Sequence, residues 1–523
     1  MKKYLFIAAL AMGAMPMVAQ ETYQNAAVAT EDLNGTARYV GMGGAMDALG
    51  ADISTIGTNP AGIGLFRSSS VSLSAGVVSQ QNAKRFADGY KTNLSFDQIG
   101  LVYATQWNSN NNVNFGFNYH KSRNFDQILS VADGLNGASQ NKATVIKRDQ
   151  RLLYVEENDK PDFNRAYSSC SVLDALYANN LNYNATDRRW YSYDGEEYVF
   201  DRMHDGYVGE YDFNLSGNVK DRFFWGVTVG IHDVHYHHYG EYAENLVGGL
   251  GGVPQSFGVT ISDDRRIKGQ GADVKVGVIF RPIEESPLRF GLSVSTPTWY
   301  DLKTSSFTTY KDNTGVYDGI ADEYKFRLYT PWRFNLSAGH TVGDWLALGL
   351  GYEFADYSSM DTRQLTGEYT YDGGEESESD NEMNRHTAKT LKGVSTFKAG
   401  IELRPDPAVA VRFGYNYVSP MYEKNGYKDT WLGSMGSYHS STSDFINWDA
   451  THRITCGLGI QSGAWNFGAA YQYSVQKGKF APFDSYEDQY ISNLAKLVDL
   501  KNQRHQFLFT VNYTFSLDKN IWD

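Results

Sequence analysis

Four histidines in the segment IHDVHYHHYG are the side chains of this sequence best suited to binding a metal. They are His232, His235, His237 and His238. Imidazole nitrogens are common ligands of transition metals and of haem iron. On a strand, His235 and His237 would share one face, which makes them the candidate metal ligands. The alternative, which we favour, is a polar, hydrated strand margin that binds no metal.

Enzyme motifs are missing from the sequence. It contains no G-x-S-x-G, no H-E-x-x-H and no C-x-x-C, which would indicate a serine nucleophile, a zinc hydrolase or a redox pair. We therefore assign no catalytic residue and predict a protein that is not an enzyme and carries no cofactor. The formal net charge is -13, and we predict no nucleic-acid partner.

The first twenty residues have the layout of a secretory signal peptide. Lys2 and Lys3 precede an apolar run, and small residues follow in MPMVAQ. We expect cleavage near Ala19 or Gln20. No later apolar run approaches the ~20 residues that a transmembrane helix needs, so we expect an exported chain that does not cross a membrane with helices.

Several segments alternate between apolar and polar residues with period two. In VNFGFNYH (113–120), one face carries valine, phenylalanine and tyrosine, and the other carries asparagine, glycine and histidine. The pattern recurs in WLALGLGYEF, VAVRFGYNY and QFLFTVNYTF. A soluble β-sandwich would bury the apolar face in a core, whereas a transmembrane barrel would turn it toward lipid. Alternation alone allows both folds.

Loop lengths distinguish the two folds. The alternation predicts about fourteen strands, near 69–80, 95–107, 113–123, 207–219, 223–239, 269–281, 288–300, 326–341, 345–357, 394–404, 409–419, 451–461, 464–475 and 503–516. Every second connection is short: NSNNN, KDR, PIEESP, VGD, RPDP and SG. The others are long. Short turns on one side and long loops on the other are typical of outer-membrane barrels. We predict an all-β fold, a transmembrane antiparallel barrel of about fourteen strands.

The segment before the first strand is expected to be a plug. A barrel of this size is too wide for wall side chains alone to fill. The first strand is followed by a long surface loop, so it rises from the periplasmic side, and the segment before it begins at the periplasmic mouth. We predict a signal peptide at 1–20, an N-terminal hatch at 21–68, a barrel at 69–516 and a C-terminal extension at 517–523. The longest surface loop, 124–206, is predicted to be partly helical.

Three stretches resemble the FadL/TodX outer-membrane transport family. The first is GTARYVGMGGAMDALGADISTIGTNPAGIG (35–64), which includes Asn59, Pro60, Ala61 and Gly62. The others are AVRFGYNYVSP (410–420) and THRITCGLGIQSGAWNFGAAYQYS (451–474). The resemblance implies a fourteen-stranded barrel with a hatch that passes long-chain fatty acids or aromatic hydrocarbons across the outer membrane.

Basic residues are concentrated on the inward face of the predicted strands. Arg333, Lys398, Arg412 and Arg453 are the candidate lumen bases, and a positive lumen would favour an anion such as a fatty-acid carboxylate. The alternative is that they pair with wall acids and with acids of the hatch.

Apolar residues of two surface loops are the candidate ligand contacts. In the longest loop, Leu173, Leu176, Tyr177 and Leu181 fall near helical spacing. Leu246 and Val253 lie in a second, glycine-rich apolar loop. These residues could line an entry groove or simply pack against other loops.

The sequence therefore predicts an outer-membrane channel for hydrophobic compounds, foremost long-chain fatty acids, in a Gram-negative bacterium. Capture in the surface loops and passive passage gated by the hatch would be the mechanism. The partners expected are a hydrophobic small molecule, a fatty acid or an aromatic hydrocarbon, and outer-membrane lipid, with the chain a monomer. The alternatives are a haem-binding receptor and a structural or adhesive barrel.

Overall fold

A computed structural model describes residues 21–108, 111–151, 171–179, 183–184, 189–190, 192–248, 255–313, 315–371, 373–429, 432, 434, 439–487 and 492–515. The predicted signal peptide, the predicted C-terminal extension, Leu181 and Val253 lie outside these residues. Within the described part of the chain, no helix is long and apolar enough to cross a membrane.

Most of the described chain is strand. The strands are β1 Ser69–Gln80, β2 Thr92–Asn108, β3 Asn111–Asn124, β4 Gln127–Gly134, β5 Tyr183–Asn184, β6 Arg189–Trp190, β7 Asp194–Val219, β8 Phe223–Gly248, β9 Gln255–Phe280, β10 Arg289–Ser295, β11 Trp299–Asp312, β12 Tyr317–Tyr329, β13 Arg333–Val342, β14 Leu346–Asp356, β15 Asp361–Tyr369, β16 Glu375–Ser379, β17 Gly393–Asp406, β18 Val409–Val418, β19 Phe445–Ser462, β20 Trp465–Ala481, β21 Tyr486–Glu487, β22 Ser492–Asn493 and β23 Val498–Phe515.

The helices are short and lie outside the sheet. The α-helices are α1 Thr22–Ala29, α2 Ala37–Gly41, α3 Gln140–Arg151, α4 Val172–Asn179 and α5 Asn381–Thr390. The 3-10 helices are Ile53–Gly57, Pro60–Leu65 and Tyr357–Ser359. Two α-helices and two 3-10 helices precede the first strand.

Fourteen strands form a closed antiparallel ring. The order around the ring is β1, β2, β3, β7, β8, β9, β10, β13, β14, β17, β18, β19, β20 and β23. β23 returns to β1, from Ser69 opposite Phe515 to Gln80 opposite Arg504. Closure leaves these strands without a free edge, and the predicted fourteen-stranded barrel is confirmed.

The two faces of the wall differ in polarity as the alternation predicts. Large apolar side chains on the outer face are exposed around the ring, for example Leu350 at 61% and Phe509 at 60%. Inward positions such as Ser74 and Asn118 are polar and fully buried. A soluble sandwich would bury its apolar face, so this arrangement agrees with a barrel that faces lipid.

Several strands extend well beyond the predicted limits at the long-loop end. β7, β8 and β9 each contain 26 residues, whereas about 9 to 11 suffice to cross the membrane. The additional segments are rich in polar and tyrosine residues, which obscured their strand character in the sequence. They continue the same pairing above the apolar belt, so parts of the predicted surface loops are strand.

Candidate functional site

The residues from Glu21 to Phe66, here called the N-terminal segment, lie against the inner face of the barrel. Wall glycines provide the space for it. A Cβ atom on Gly349 would stand 1.9 Å from the Ala45 carbonyl oxygen, and one on Gly400 would stand 2.4 Å from that of Met42. On the opposite side of the ring, Ile53 packs against β2. The segment therefore contacts the wall on several sides.

The Asn-Pro-Ala-Gly motif fits the segment to the wall between β8 and β9. The Asn59 side chain accepts a hydrogen bond from the Ala61 amide at 3.2 Å, which caps the helical turn that Pro60 begins. Ala61 is fully buried against the wall. Gly62 lies where a Cβ atom would clash with Thr55 at 2.3 Å. The motif therefore has a packing role in this fold.

The four candidate lumen bases all point inward and form ion pairs. Arg333 pairs with Glu31 of the N-terminal segment. Lys398 lies 3.3 Å from Asp47 and 3.2 Å from Glu353. Arg412 lies 2.6 Å from Glu402, which also binds Arg38 of the segment at 3.0 Å. The carboxylates of these pairs offset much of the positive charge of the bases.

The fourth base, Arg453, belongs to a different group. Its guanidinium lies 3.6 Å from Asp32, and Arg123 lies 3.1 Å from the same carboxylate. Arg504 is the third member and donates a hydrogen bond to Asn124 at 3.2 Å. Arg123, Arg453 and Arg504, here called the arginine cluster, thus surround one acid of the N-terminal segment. Their charge exceeds that of Asp32 by two.

A cavity of about 310 Å³ opens above the N-terminal segment. Its lining includes the arginine cluster. It also includes apolar side chains, here called the apolar wall, which are Tyr23, Tyr357, Val394, Val418, Met421, Tyr422 and Trp448. The cavity therefore combines an apolar surface with a region of excess positive charge, and it can accommodate an amphipathic molecule with an anionic group.

Part of this site could have been recognised in the sequence. Arg504 follows the alternation of the last strand, which turns Phe507 and Phe509 outward and Arg504 inward. Arg123 could not have been found in this way. By strict period two it would share the outward face of Phe115 and Phe117, but a β-bulge between Lys121 and Arg123 reverses the register. Asp32 joins the site through the fold of the N-terminal segment.

The candidate ligand contacts of the surface loops lie elsewhere. Leu173, Leu176 and Tyr177 are on α4 and are buried in one cluster with Leu246. None of the four lines the cavity. Leu176 and Leu246 are fully buried. In this structure the four side chains pack α4 against β8 and β9. The predicted helical spacing corresponds to α4.

The histidines of the IHDVHYHHYG segment divide between the two faces of β8. His235 and His237 share the outer face, where His235 contacts Asp233 at 2.9 Å and His237 contacts Asp205 at 3.0 Å. They do not line the cavity. His232 and His238 share the inner face and are buried. Period two places this second pair together as well, so the sequence contained the signal for it.

The fold defines a class: a closed fourteen-stranded barrel, here with the N-terminal segment against its inner face. Solved barrel structures match the chain. The crystal structure of a Pseudomonas aeruginosa FadL homologue is 12% identical, covers 93% of this chain and 100% of its own, and has a TM-score of 0.53. The chain therefore has the fold of FadL-type barrels, which agrees with the resemblance in the sequence.

Two toluene transporters are also similar in structure. TodX of P. putida is 11% identical and covers 93% of this chain and 100% of its own, with a TM-score of 0.47. TbuX of Ralstonia pickettii is 12% identical and covers 92% and 99%, with a TM-score of 0.45. No protein-family model and no curated protein sequence matches the chain. At 12% identity, the likeness to the FadL homologue establishes the fold alone.

Proposed function

We propose that this chain is an outer-membrane uptake channel for hydrophobic compounds, and that its cargo is a fatty-acid-like amphipathic anion. The supporting observation is the cavity of about 310 Å³, whose lining includes both the apolar wall and the arginine cluster. The proposal includes export to a Gram-negative outer membrane, contact with its lipid and a monomeric barrel. It includes neither catalysis nor a cofactor.

Two interactions would provide affinity and specificity. Burial of an acyl chain against the apolar wall contributes about 0.8 kcal/mol per methylene removed from water. A carboxylate beside the arginine cluster would gain charge-assisted hydrogen bonds, each contributing about 1.5 to 3 kcal/mol. A neutral aromatic hydrocarbon would gain only the first of these. The N-terminal segment forms the floor of the cavity, so in this proposal it acts as the hatch that must shift for passage.

The test compares a charged with a neutral ligand. The double substitution Arg453→Gln, Arg504→Gln should weaken binding of a long-chain fatty acid to the purified barrel about 10- to 100-fold, because charge-assisted hydrogen bonds are lost. Toluene binding should change little. Arg385→Gln is the matched control, since this arginine is exposed on α5 and pairs with Glu382. Equal losses for both ligands, or no loss for the fatty acid, would contradict the proposal.

A transport measurement completes the test. Cells that lack other uptake routes and carry the wild-type barrel should take up labelled fatty acid, whereas cells with the double variant should take up less at limiting concentration. Barrel abundance in the outer membrane is measured alongside to correct for expression. Uptake of labelled toluene instead, with no effect of the arginines, would assign an aromatic hydrocarbon cargo and contradict the anionic one.

A further inference from the structure

Six ionisable side chains form a buried cluster inside the wall. They are His120 on β3, Glu210 and Asp212 on β7, His232 on β8, and Asp273 and Lys275 on β9. All except His120 have side chains that are at most 5% exposed. We call this group the histidine–carboxylate cluster.

Lys275 binds one oxygen of each carboxylate. Its Nζ lies 2.5 Å from Glu210 Oε1, 3.2 Å from Asp212 Oδ1 and 2.9 Å from Asp273 Oδ1. The second oxygens of Glu210 and Asp273 lie on the side of His232. The second oxygen of Asp212 lies on the side of His120. Each carboxylate therefore has a lone-pair site that the ammonium group does not use.

His232 is buried without a hydrogen-bond partner. The residue is 2% exposed, and neither ring nitrogen forms a hydrogen bond in the described structure. Yet Asp273 Oδ2 lies 3.2 Å from Nε2, and Glu210 Oε2 lies 3.8 Å from Nδ1. A buried imidazole without hydrogen bonds costs free energy. Both ring nitrogens therefore face carboxylate oxygens, with which they form ion pairs only when the ring is protonated.

Neutral imidazoles would leave the charge of the cluster unbalanced. Three carboxylates against one ammonium group leave a charge of minus two when the imidazoles are neutral. Uncompensated charge in a buried site is expensive. One divalent cation would neutralise the cluster, and neutral imidazole together with carboxylate oxygens is a ligand set that zinc accepts.

We propose that Glu210, His232 and Asp273 bind one divalent transition-metal ion of the Zn²⁺ type. One ligand atom from each residue lies within 4.8 Å of the others, a spacing that small adjustments bring to the ~2.0 to 2.2 Å metal-to-ligand distances of zinc. Glu210 and His120 line the cavity, which provides a path of entry. His120, Glu210 and Asp212 form an adjoining triad that shares Glu210.

The ion would connect β7, β8 and β9 next to the N-terminal segment. Thr228, four residues before His232 on β8, donates a hydrogen bond to the Ile56 carbonyl at 3.1 Å. Gly57 lies where a Cβ atom would contact His120 at 3.5 Å. The metal would therefore stiffen the part of the wall on which the Ile53–Gly57 turn rests. This inference does not depend on the proposed transport function.

The test measures zinc on the full mature chain. The barrel is purified in detergent, stripped with a chelator, reloaded with Zn²⁺ alone, desalted and analysed for metal content and by calorimetry. We expect one ion per chain and an X-ray absorption spectrum with nitrogen and oxygen ligands near 2.0 to 2.2 Å. His232→Gln should lower the affinity at least about 10- to 100-fold. The double substitution His235→Gln, His237→Gln on the outer face of the same strand should retain the ion.

Asp273→Asn is the second variant, in case His232→Gln does not fold. Folding is checked for every variant by heat-dependent mobility on gels and by circular dichroism. Failure of the wild-type barrel to hold stoichiometric zinc would overturn the proposal and leave protonated imidazoles to balance the cluster. Loss of zinc in the outer-face control would also overturn it. Loss in His120→Gln with retention in His232→Gln would overturn the assignment to this triad.

Discussion

At the scale of single residues, Asp32 offsets part of the positive charge of the arginine cluster. Burial alone would raise the pKa of this carboxyl, but Arg123, Arg504 and Arg453 outweigh burial and hold the pKa below its ordinary value of 3.8. The Asn124 amide also donates a hydrogen bond to it at 3.1 Å. A depressed pKa means that ionised Asp32 stabilises the folded barrel above pH 3.8. The stabilisation is lost as the pH falls through the folded-state pKa.

Replacing Asp32 by asparagine should therefore act in a pH-dependent way. We expect Asp32→Asn to lower the free energy of unfolding by about 1 to 3 kcal/mol at pH 7, because three guanidinium groups lose their shared carboxylate. The difference from the wild type should shrink below about pH 4. Thermal unfolding in detergent at pH 7, 5 and 3 measures this. Asp88→Asn, at an exposed loop position, should change little, and a deficit independent of pH would contradict the argument.

At the scale of elements, the fit between the Pro60–Leu65 turn and the wall depends on glycines in β8 and β9. A Cβ atom on Gly226 would lie 2.4 Å from the Pro60 carbonyl carbon, and one on Gly277 would lie 2.1 Å from the Asn59 side-chain oxygen. No side chain fits at these distances without movement of the backbone. The two glycines therefore set how closely the turn approaches the wall.

We expect Gly226→Val to push the Pro60–Leu65 turn away from the wall. Overpacking of this kind costs about 1 to 3 kcal/mol, and displacement of the turn should raise single-channel conductance in planar lipid bilayers. Gly134→Val is the matched control, since a Cβ atom on this strand glycine would meet nothing closer than 3.7 Å. Unchanged conductance and stability in Gly226→Val, or equal changes in both variants, would contradict this role for the glycine.

At the scale of the whole molecule, a belt of exposed apolar side chains on the outer face determines which solvent suits the barrel. Leu350 is 61% exposed near the middle of β14, and Phe467 and Phe509 are exposed on β20 and β23. In water, such a continuous apolar band would lead to aggregation. In a bilayer it contacts acyl chains, and the polar backbone groups are satisfied by the closed ring.

The free-energy cost of a charged side chain placed in this belt should show how deep in the bilayer that position lies. We expect Leu350→Arg to make folding into phosphatidylcholine vesicles less favourable by about 2 to 4 kcal/mol, the cost of an arginine near the bilayer midplane. Tyr371→Arg, at an exposed position after β15, should stay within about 0.5 kcal/mol of the wild type. Urea titration of both variants measures this. A small effect of Leu350→Arg would place β14 outside the hydrocarbon.

The fold could be predicted largely from the sequence, because the two faces of a barrel strand meet different solvents. Alternation within VNFGFNYH and the similar segments is a local property, so it is visible without the tertiary structure. Residues 35–64, which resemble a known plug segment, lie against the inner face of the wall, and their role as a hatch stays a prediction. The inward direction of Arg333, Lys398, Arg412 and Arg453 follows from the same period of two.

The tertiary structure decided what those inward residues do. All four bases are joined in ion pairs whose partners lie on other strands or in the N-terminal segment. The arginine cluster depends on a bulge beside Arg123, which no alternation rule predicts, and on the placement of Asp32 far away in the chain. His232 meets its carboxylates only because β7, β8 and β9 adopt one register. Sequence determined the faces, since each is set locally, whereas the sites join residues that only strand register and barrel closure bring together.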